Sequence, residues 1–180
     1  NAAGQSLPRE SLEAHIETFR KLNVQWVVLS GGEALMHKDL WSLCELIKTL
    51  PAKITVLSTG LLLKRNAEQV VKWADEVTVS LDGSPEIHDS IRRVPRAYER
   101  LAEGVRAVKE LKPDFPITAR CVIQQQNFRD LPNIIDTARA TGLDRISFLS
   151  VDVSSEAFNR PVPWSDERIA DVALSPNEVA

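Results

Sequence analysis

A pair of glycines and a carboxylate, Gly31-Gly32-Glu33, close the apolar run Val27-Val28-Leu29. Without a Cβ, the backbone at Gly31 and Gly32 can reach positive φ and lie close to a bound molecule, its N–H and C=O groups turned outward. A carboxylate beside such a backbone suits a ligand with a cationic amine, held by a main-chain carbonyl and Glu33 together. The same residues also read as a tight turn with a capping Glu before the next helix, and a glycine pair plus one acid fits both. Three more polar exits follow apolar runs: Ser58-Thr59-Gly60, Ser80-Leu81-Asp82-Gly83 and Gln124-Gln125-Gln126-Asn127. Loops after strands are often polar for solubility alone, but four at equivalent places point to one shared site.

The elements that would position these residues alternate along the chain. Leu12, Ile16 and Phe19 recur at helical spacing between Pro8, acceptable in a first turn, and Asn23, a plausible stop, which predicts one surface helix over 8–22. Residues 24–30 then form a strand, with Trp26 to Leu29 apolar throughout as if covered on both faces of a parallel sheet. Asp39 can cap a second helix whose Leu40, Leu43, Cys44, Ile47 and Leu50 make one stripe, ended by Pro51. Further strands are expected at 53–58, 77–81, 117–123 and 145–149, with helices at 64–74, at 95–111 and from Leu131 to a stop at Gly142. Ser84 to Val94, rich in charge and turn residues, is expected as an insertion loop. Strands joined by crossover helices make an α/β fold with one parallel sheet, open or curled toward a barrel, whose ligands sit at the strands' C-terminal ends.

With 180 residues and 43% hydrophobic content, the chain can bury a single-domain core. It divides into a core over 1–153 and an irregular tail over 154–180. The tail carries Pro161, Pro163 and Pro176, a short helical stretch from Asp166 to Ala173, and Ser175-Pro176 as the opening of another helix. Twenty-two basic against 25 acidic residues, net charge −3, give no basic field, so nucleic acid is set aside as a partner. No apolar run approaches a membrane span, so a cytoplasmic protein is expected. Cys44 and Cys121 fall in a helical and a strand pattern, where each acts as a small buried hydrophobe; by themselves they cannot make a metal site.

These residues carry a resemblance. The chain resembles the radical S-adenosylmethionine enzymes, most closely the branch with an extra cluster-binding C-terminal region called SPASM. Ser30-Gly31-Gly32-Glu33-Ala34-Leu35 is similar to the superfamily's Gly-Gly-Glu-Pro loop, with Ala34 where Pro is usual. Ser80-Leu81-Asp82-Gly83-Ser84-Pro85-Glu86-Ile87-His88-Asp89, followed by Arg92, looks like the fourth-strand segment of that branch. The order of elements over 7–150 agrees.

The resemblance implies a partial (β/α) barrel of six parallel strands, of which this chain, truncated at both ends, supplies the second to the sixth. Gly31, Gly32 and Glu33 would hold the amino group of S-adenosylmethionine; Ser80 and Asp82 would lie near its ribose or carboxylate. Ser58, Thr59, Gln124 and Asn127 would line the same cavity, Thr59 standing where the branch more often has Asn. His88, Asp89 and Arg92 would sit in a loop over the barrel mouth, for substrate contact or for helix capping. The family's [4Fe–4S] cluster needs a C-x3-C-x2-C loop, because three thiolates leave one iron open to the cofactor. This chain lacks that loop, so the cluster is expected only in a longer parent protein and the chain alone is expected to be inactive. The parent would cleave S-adenosylmethionine to a 5′-deoxyadenosyl radical for hydrogen abstraction from an unassigned small molecule or peptide. Two other readings stay open: a non-catalytic nucleoside-binding barrel, and a phosphate-binding barrel lyase with the glycines as anion cradle, against which Glu33 argues. A bare edge at strand 24–30 is expected to favour self-association.

Overall fold

The computed structural model describes residues 7–153 and 162–179. Five parallel strands lie in chain order in one sheet: β1 (Trp26–Leu29), β2 (Lys53–Ser58), β3 (Glu76–Ser80), β4 (Ile117–Ile123) and β5 (Arg145–Ser150). Sequential order means that every crossover moves the chain one strand in the same direction. Crossovers of one hand then put all the helices on one face. Those between the strands are α3 (Leu40–Ile47), α4 (Ala67–Trp73), α5 (Pro85–Arg92), α6 (Ala97–Leu111) and α7 (Leu131–Thr141).

Alternation along the strands sets the two faces. Ile54, Val56, Val77, Val79, Ile117 and Ala119 point to the helices and form the core with Leu43, Ile47, Val70, Leu101, Val105 and Val108. The intervening residues, among them Thr55, Thr78, Thr118 and Arg120, face the other way into a concave cavity of about 320 Å³. Here β1 differs from expectation. It is not covered on both faces: Val27 and Leu29 pack on the core, but Trp26 is 61% and Val28 45% exposed. Among the described residues no layer opposes the inner face at that edge, and the Trp26 indole N–H donates to Thr55 Oγ1 at 2.8 Å.

The helical region before β1 is also not one helix. It is α1 (Arg9–Glu13) and α2 (Ile16–Lys21), because the chain tightens where the His15 N–H reaches Leu12 O rather than the residue before it. Asn23, at φ 52°, stops α2 as expected. Asp39 occupies the N-cap of α3 without a side-chain cap bond; its own N–H donates to His37 Nδ1 at 3.1 Å. The segment expected as an insertion loop is mostly helix α5. Pro85 stands in its first turn with Glu86 beside it, a start signal that outweighs the density of charge.

The lower, N-terminal ends of the strands are fastened by a recurring device. Asp75, just ahead of β3, accepts the Ile54 N–H of β2 and Lys48 Nζ, each at 2.7 Å and on the same oxygen. Asp144, just ahead of β5, accepts the Ile117 N–H of β4 at 2.8 Å and Lys109 Nζ at 2.9 Å, again on one oxygen. Burial pushes both carboxyls up, but the lysine and amide donors more than offset it and hold both below the usual carboxylate range.

Beyond β5 the start of the tail, 154–161, lies outside the described residues. The tail's helices are α8 (Asp166–Val172), near the expected Asp166 to Ala173, and α9 (Pro176–Val179). Ser165 Oγ caps α8 by accepting the Arg168 N–H at 3.3 Å. The segment is docked on the turn after β4: the Gln125 N–H donates to Val172 O at 2.9 Å, and Gln125 Nε2 reaches Ala173 O and Glu178 Oε2. Among the described residues no helix is long and apolar enough to cross a membrane.

Candidate functional site

The upper, C-terminal ends of β1 to β4 bring the four polar exits to one end of the sheet, as parallel strands must. Glu33 is extended, at φ −150°, and caps a short 3-10 turn, Ala34–Met36, through the Leu35 N–H on Oε1 at 3.1 Å. Its Oε2 accepts the Thr59 N–H at 2.9 Å and also the Thr59 hydroxyl. One carboxylate thus joins the loop after β1 to the loop after β2, and Thr59, where Asn is more usual in the resembled branch, supplies two of its three donors. Oε1 keeps a lone pair for a further donor.

Gly31 and Gly32 are exposed, and a Cβ at either would meet nothing within 4 Å. The open space expected beside them is there. The positive φ is not: among the described residues Gly60, at 84°, and Gly142, at 82°, are the glycines in that region. Gly60 must be glycine on two counts, since its φ disfavours a side chain and an added Cβ would come within 2.8 Å of Leu101 Cγ. Ser58 serves that turn. It is buried on the helix-packed face, and its Oγ accepts the Gly60 N–H at 3.0 Å, so the structure turns it away from the cavity. Ser80, half-buried at the end of β3, alternates with core residue Val79 and therefore faces inward.

The remaining expected residues hold the site together from within. Asp82 is 3% exposed and faces Arg92 Nη2 at 2.5 Å, while its main-chain N–H donates to His88 Nδ1 at 3.2 Å. His88, Asp89 and Arg92 are on helix α5, not in a loop, and Asp89 does cap: its Oδ1 accepts the Tyr98 N–H at 2.8 Å. Burial pushes His88 below the ordinary imidazole range, Asp82 partly opposes this, and Arg92 adds to it. Asn127 is 1% exposed. Its Nδ2 donates to Asp82 O at 2.8 Å and Val122 O at 2.9 Å, and its Oδ1 accepts the Gln124 N–H at 2.8 Å, bracing the end of β3 against the exit of β4. Gln124 contributes that N–H, and its side chain is half-buried.

Sequence reasoning missed Asp130, which accepts the Ser84 N–H at 2.7 Å and so fixes the entry to α5. It also missed the inner face as a polar surface. The signal was available as Thr55, Glu76, Thr78, Thr118, Arg120 and Ser147, each one step out of phase with a core residue. Among the described residues no three His, Cys, Asp or Glu side chains stand together as a metal site. Cys44 and Cys121 are fully buried in separate elements, and burial pushes their thiols up to about 11 and about 12.

A parallel sheet in chain order, helices on one face, an open polar inner face and a Gly-Gly-Glu turn at the strand ends define a partial α/β barrel open above the strand ends. The family model that matches residues 2–138 is that of the Radical SAM superfamily, and this chain belongs to it. Over 132 residues it is 29% identical to pre-heme d1 synthase of Dinoroseobacter shibae, covering 72% of this chain and 32% of that protein. Over 153 residues it is 28% identical to PqqA peptide cyclase of Rhodopseudomonas palustris, covering 82% of this chain and 40% of that protein. The fold matches the crystal structure of Streptococcus suis SuiB bound to S-adenosylmethionine with a TM-score of 0.70 at 17% identity, over 90% of this chain and 38% of that one. The chain thus spans about a third to two-fifths of the length of these relatives.

Proposed function

We propose that this chain is the cofactor-binding part of a radical S-adenosylmethionine enzyme, with S-adenosylmethionine seated at the mouth above β1 to β3. The observation that carries this is the Glu33 to Thr59 link, which fixes the loop after β1 beside two glycines with open space where side chains would be. A sulfonium nucleoside fits that set of acceptors. Its amine takes the exposed main-chain carbonyls at Gly31 and Gly32 and the free lone pair of Glu33, and a ribose hydroxyl takes Ser80. Asp82, Asn127 and Ser58 act one layer behind, holding the strand ends that carry those contacts.

The described residues do not fit a [4Fe–4S] cluster, since they offer no set of three thiolates. The cleavage of S-adenosylmethionine to a 5′-deoxyadenosyl radical for hydrogen abstraction is therefore proposed of a longer protein. The residues of this chain bind and orient. The substrate is a small molecule or a peptide; the relatives' names include both a pre-heme d1 synthase and a peptide cyclase. The missing thiolate set also favours a second reading, a barrel that binds a nucleoside without redox chemistry.

One experiment separates the two. The longer protein, supplied with iron, sulfide and a reductant, is assayed for 5′-deoxyadenosine by mass spectrometry. Release by the wild type, and its loss in Glu33→Ala, is expected, with none from this chain alone. A cluster-free longer protein that binds S-adenosylmethionine intact would establish the second reading instead.

A further inference from the structure

The inner face carries two arginines that the mouth does not use. Arg120 of β4 and Arg145 at the start of β5 line the same cavity, with Glu76 as its one acidic lining residue. Arg120 is level with Ser80 on one side and Ser147 on the other, and Arg145 is level with Thr118, two residues lower. One strand spacing across and two residues along put their Cα atoms roughly 8 Å apart. Long side chains from those points reach one space.

Neither guanidinium is spent on the fold. Arg145 stands 4.0 Å from Glu76 Oε1 with its side chain 76% exposed, a loose pair, and that same oxygen accepts the Thr118 hydroxyl at 3.1 Å. Arg120 is exposed to the cavity and has no ion pair or side-chain hydrogen bond among the described residues. A strand arginine pointing into a concavity walled by Trp26, Val28 and Leu57 keeps a planar fork of donors unpaired beside apolar surface. That arrangement matches a carboxylate bidentately. A phosphate dianion matches it less well, because Glu76 would oppose the second charge.

We infer that Arg120, with Arg145 below it, is a carboxylate-binding subsite that anchors the substrate beneath the mouth. This rests on the proposed function only in taking the mouth as the place where the cofactor sits. A carboxylate could come from the substrate or from the cofactor's methionine moiety; the chemistry is shared, and the assignment is to the substrate because the pair extends downward, away from the glycines.

The test is a titration of the 20.1 kDa chain followed by nuclear magnetic resonance at constant ionic strength. Glutarate, a dicarboxylate, is expected to shift the Arg120 and Arg145 Nε–H signals and the Trp26 indole N–H saturably, and glutaramide is not. Arg120→Gln should weaken glutarate about 10-fold, whereas Arg120→Lys, which keeps the charge but not the fork, should lie between the two. Equal shifts from glutaramide, or an unchanged affinity in Arg120→Gln with the amide spectrum intact, would overturn the subsite. Displacement of glutarate by S-adenosylmethionine but not by methylthioadenosine, which lacks the carboxylate, would give Arg120 to the cofactor and overturn the assignment to substrate. The amides of Gly31 and Gly32 report nucleoside binding in the same spectra. A chain that takes the nucleoside there and ignores glutarate loses the subsite and keeps the proposed function.

Discussion

Removing the Asn127 side chain should cost far more than an average polar truncation. Asn127→Ala leaves two carbonyls without a donor, those of Asp82 and Val122, and the Gln124 N–H without an acceptor. Each buried polar group left unpaired costs about 1–3 kcal/mol. Two carbonyls counted fully, and the partly buried Gln124 amide counted in part, give roughly 3–5 kcal/mol, with water entering the vacated space pulling toward the lower figure. With a urea slope of about 2 kcal/mol/M, the unfolding midpoint should fall by about 2 M. Asn127→Asp is the informative partner. It keeps an acceptor for Gln124 but sets a carboxylate oxygen against two carbonyls, so it should be at least as damaging despite its shape. If urea unfolding by circular dichroism gives less than about 1 kcal/mol for Asn127→Ala, the reasoning fails, and β3 and β4 are held together without this brace.

Thr59→Val removes the hydroxyl bond to Glu33 while keeping the main-chain one. It should cost about 1 kcal/mol in thermal unfolding, and Thr59→Ser should restore it; loss in Thr59→Ser with none in Thr59→Val would show that the methyl matters instead. Stability should fall as pH drops below about 6.5, because buried His88 takes up a proton less readily folded than unfolded and the unfolded chain then binds more protons. His88→Gln should flatten the dependence below about pH 6.5, and an unchanged slope there would assign it to other groups. Among the described residues β1 pairs on one side only, with Trp26 and Val28 exposed, so the chain should sediment as more than a monomer at micromolar concentration. Val28→Lys should return it to the monomer; a wild-type monomer would show that the edge is tolerated bare.

The sheet was legible because its strands are short apolar runs with polar ends, and all five fall within one or two residues of their expected bounds. Helix α5 was hidden because Ile87 and Ile91 are its only large apolar residues, a single pair four positions apart amid charge, and the residue it buries is a histidine. At the site, residue types were legible and reach was not. Nothing in the sequence says that Glu33 meets Thr59, 26 positions on, or that Ser58 turns away from it. Asp82 and Asn127 were singled out as ligand contacts because their types suit that chemistry. Burial spends them on the scaffold instead, a fact that depends on packing from three elements at once. Arg120 was invisible for the opposite reason: in a strand that reads as buried, one charge looks like an interruption until its face is known.

The paired fastenings at Asp75 and Asp144 have a consequence for how such a protein can change over generations. Each ties the foot of one strand to the lysine of the helix before it and to the start of the next strand, at the end of the sheet away from the mouth. The integrity of a strand-helix unit is thereby secured at one pole, and whatever its opposite loop recognises can be rewritten at the other. Insertion, shortening or replacement of the segments after β2 or β4 leaves these anchors untouched. A lineage built on such units can therefore acquire new substrates by altering the loop positions that do not brace the strand tops as Asn127 does, with the risk of unfolding largely uncoupled from the search for chemistry.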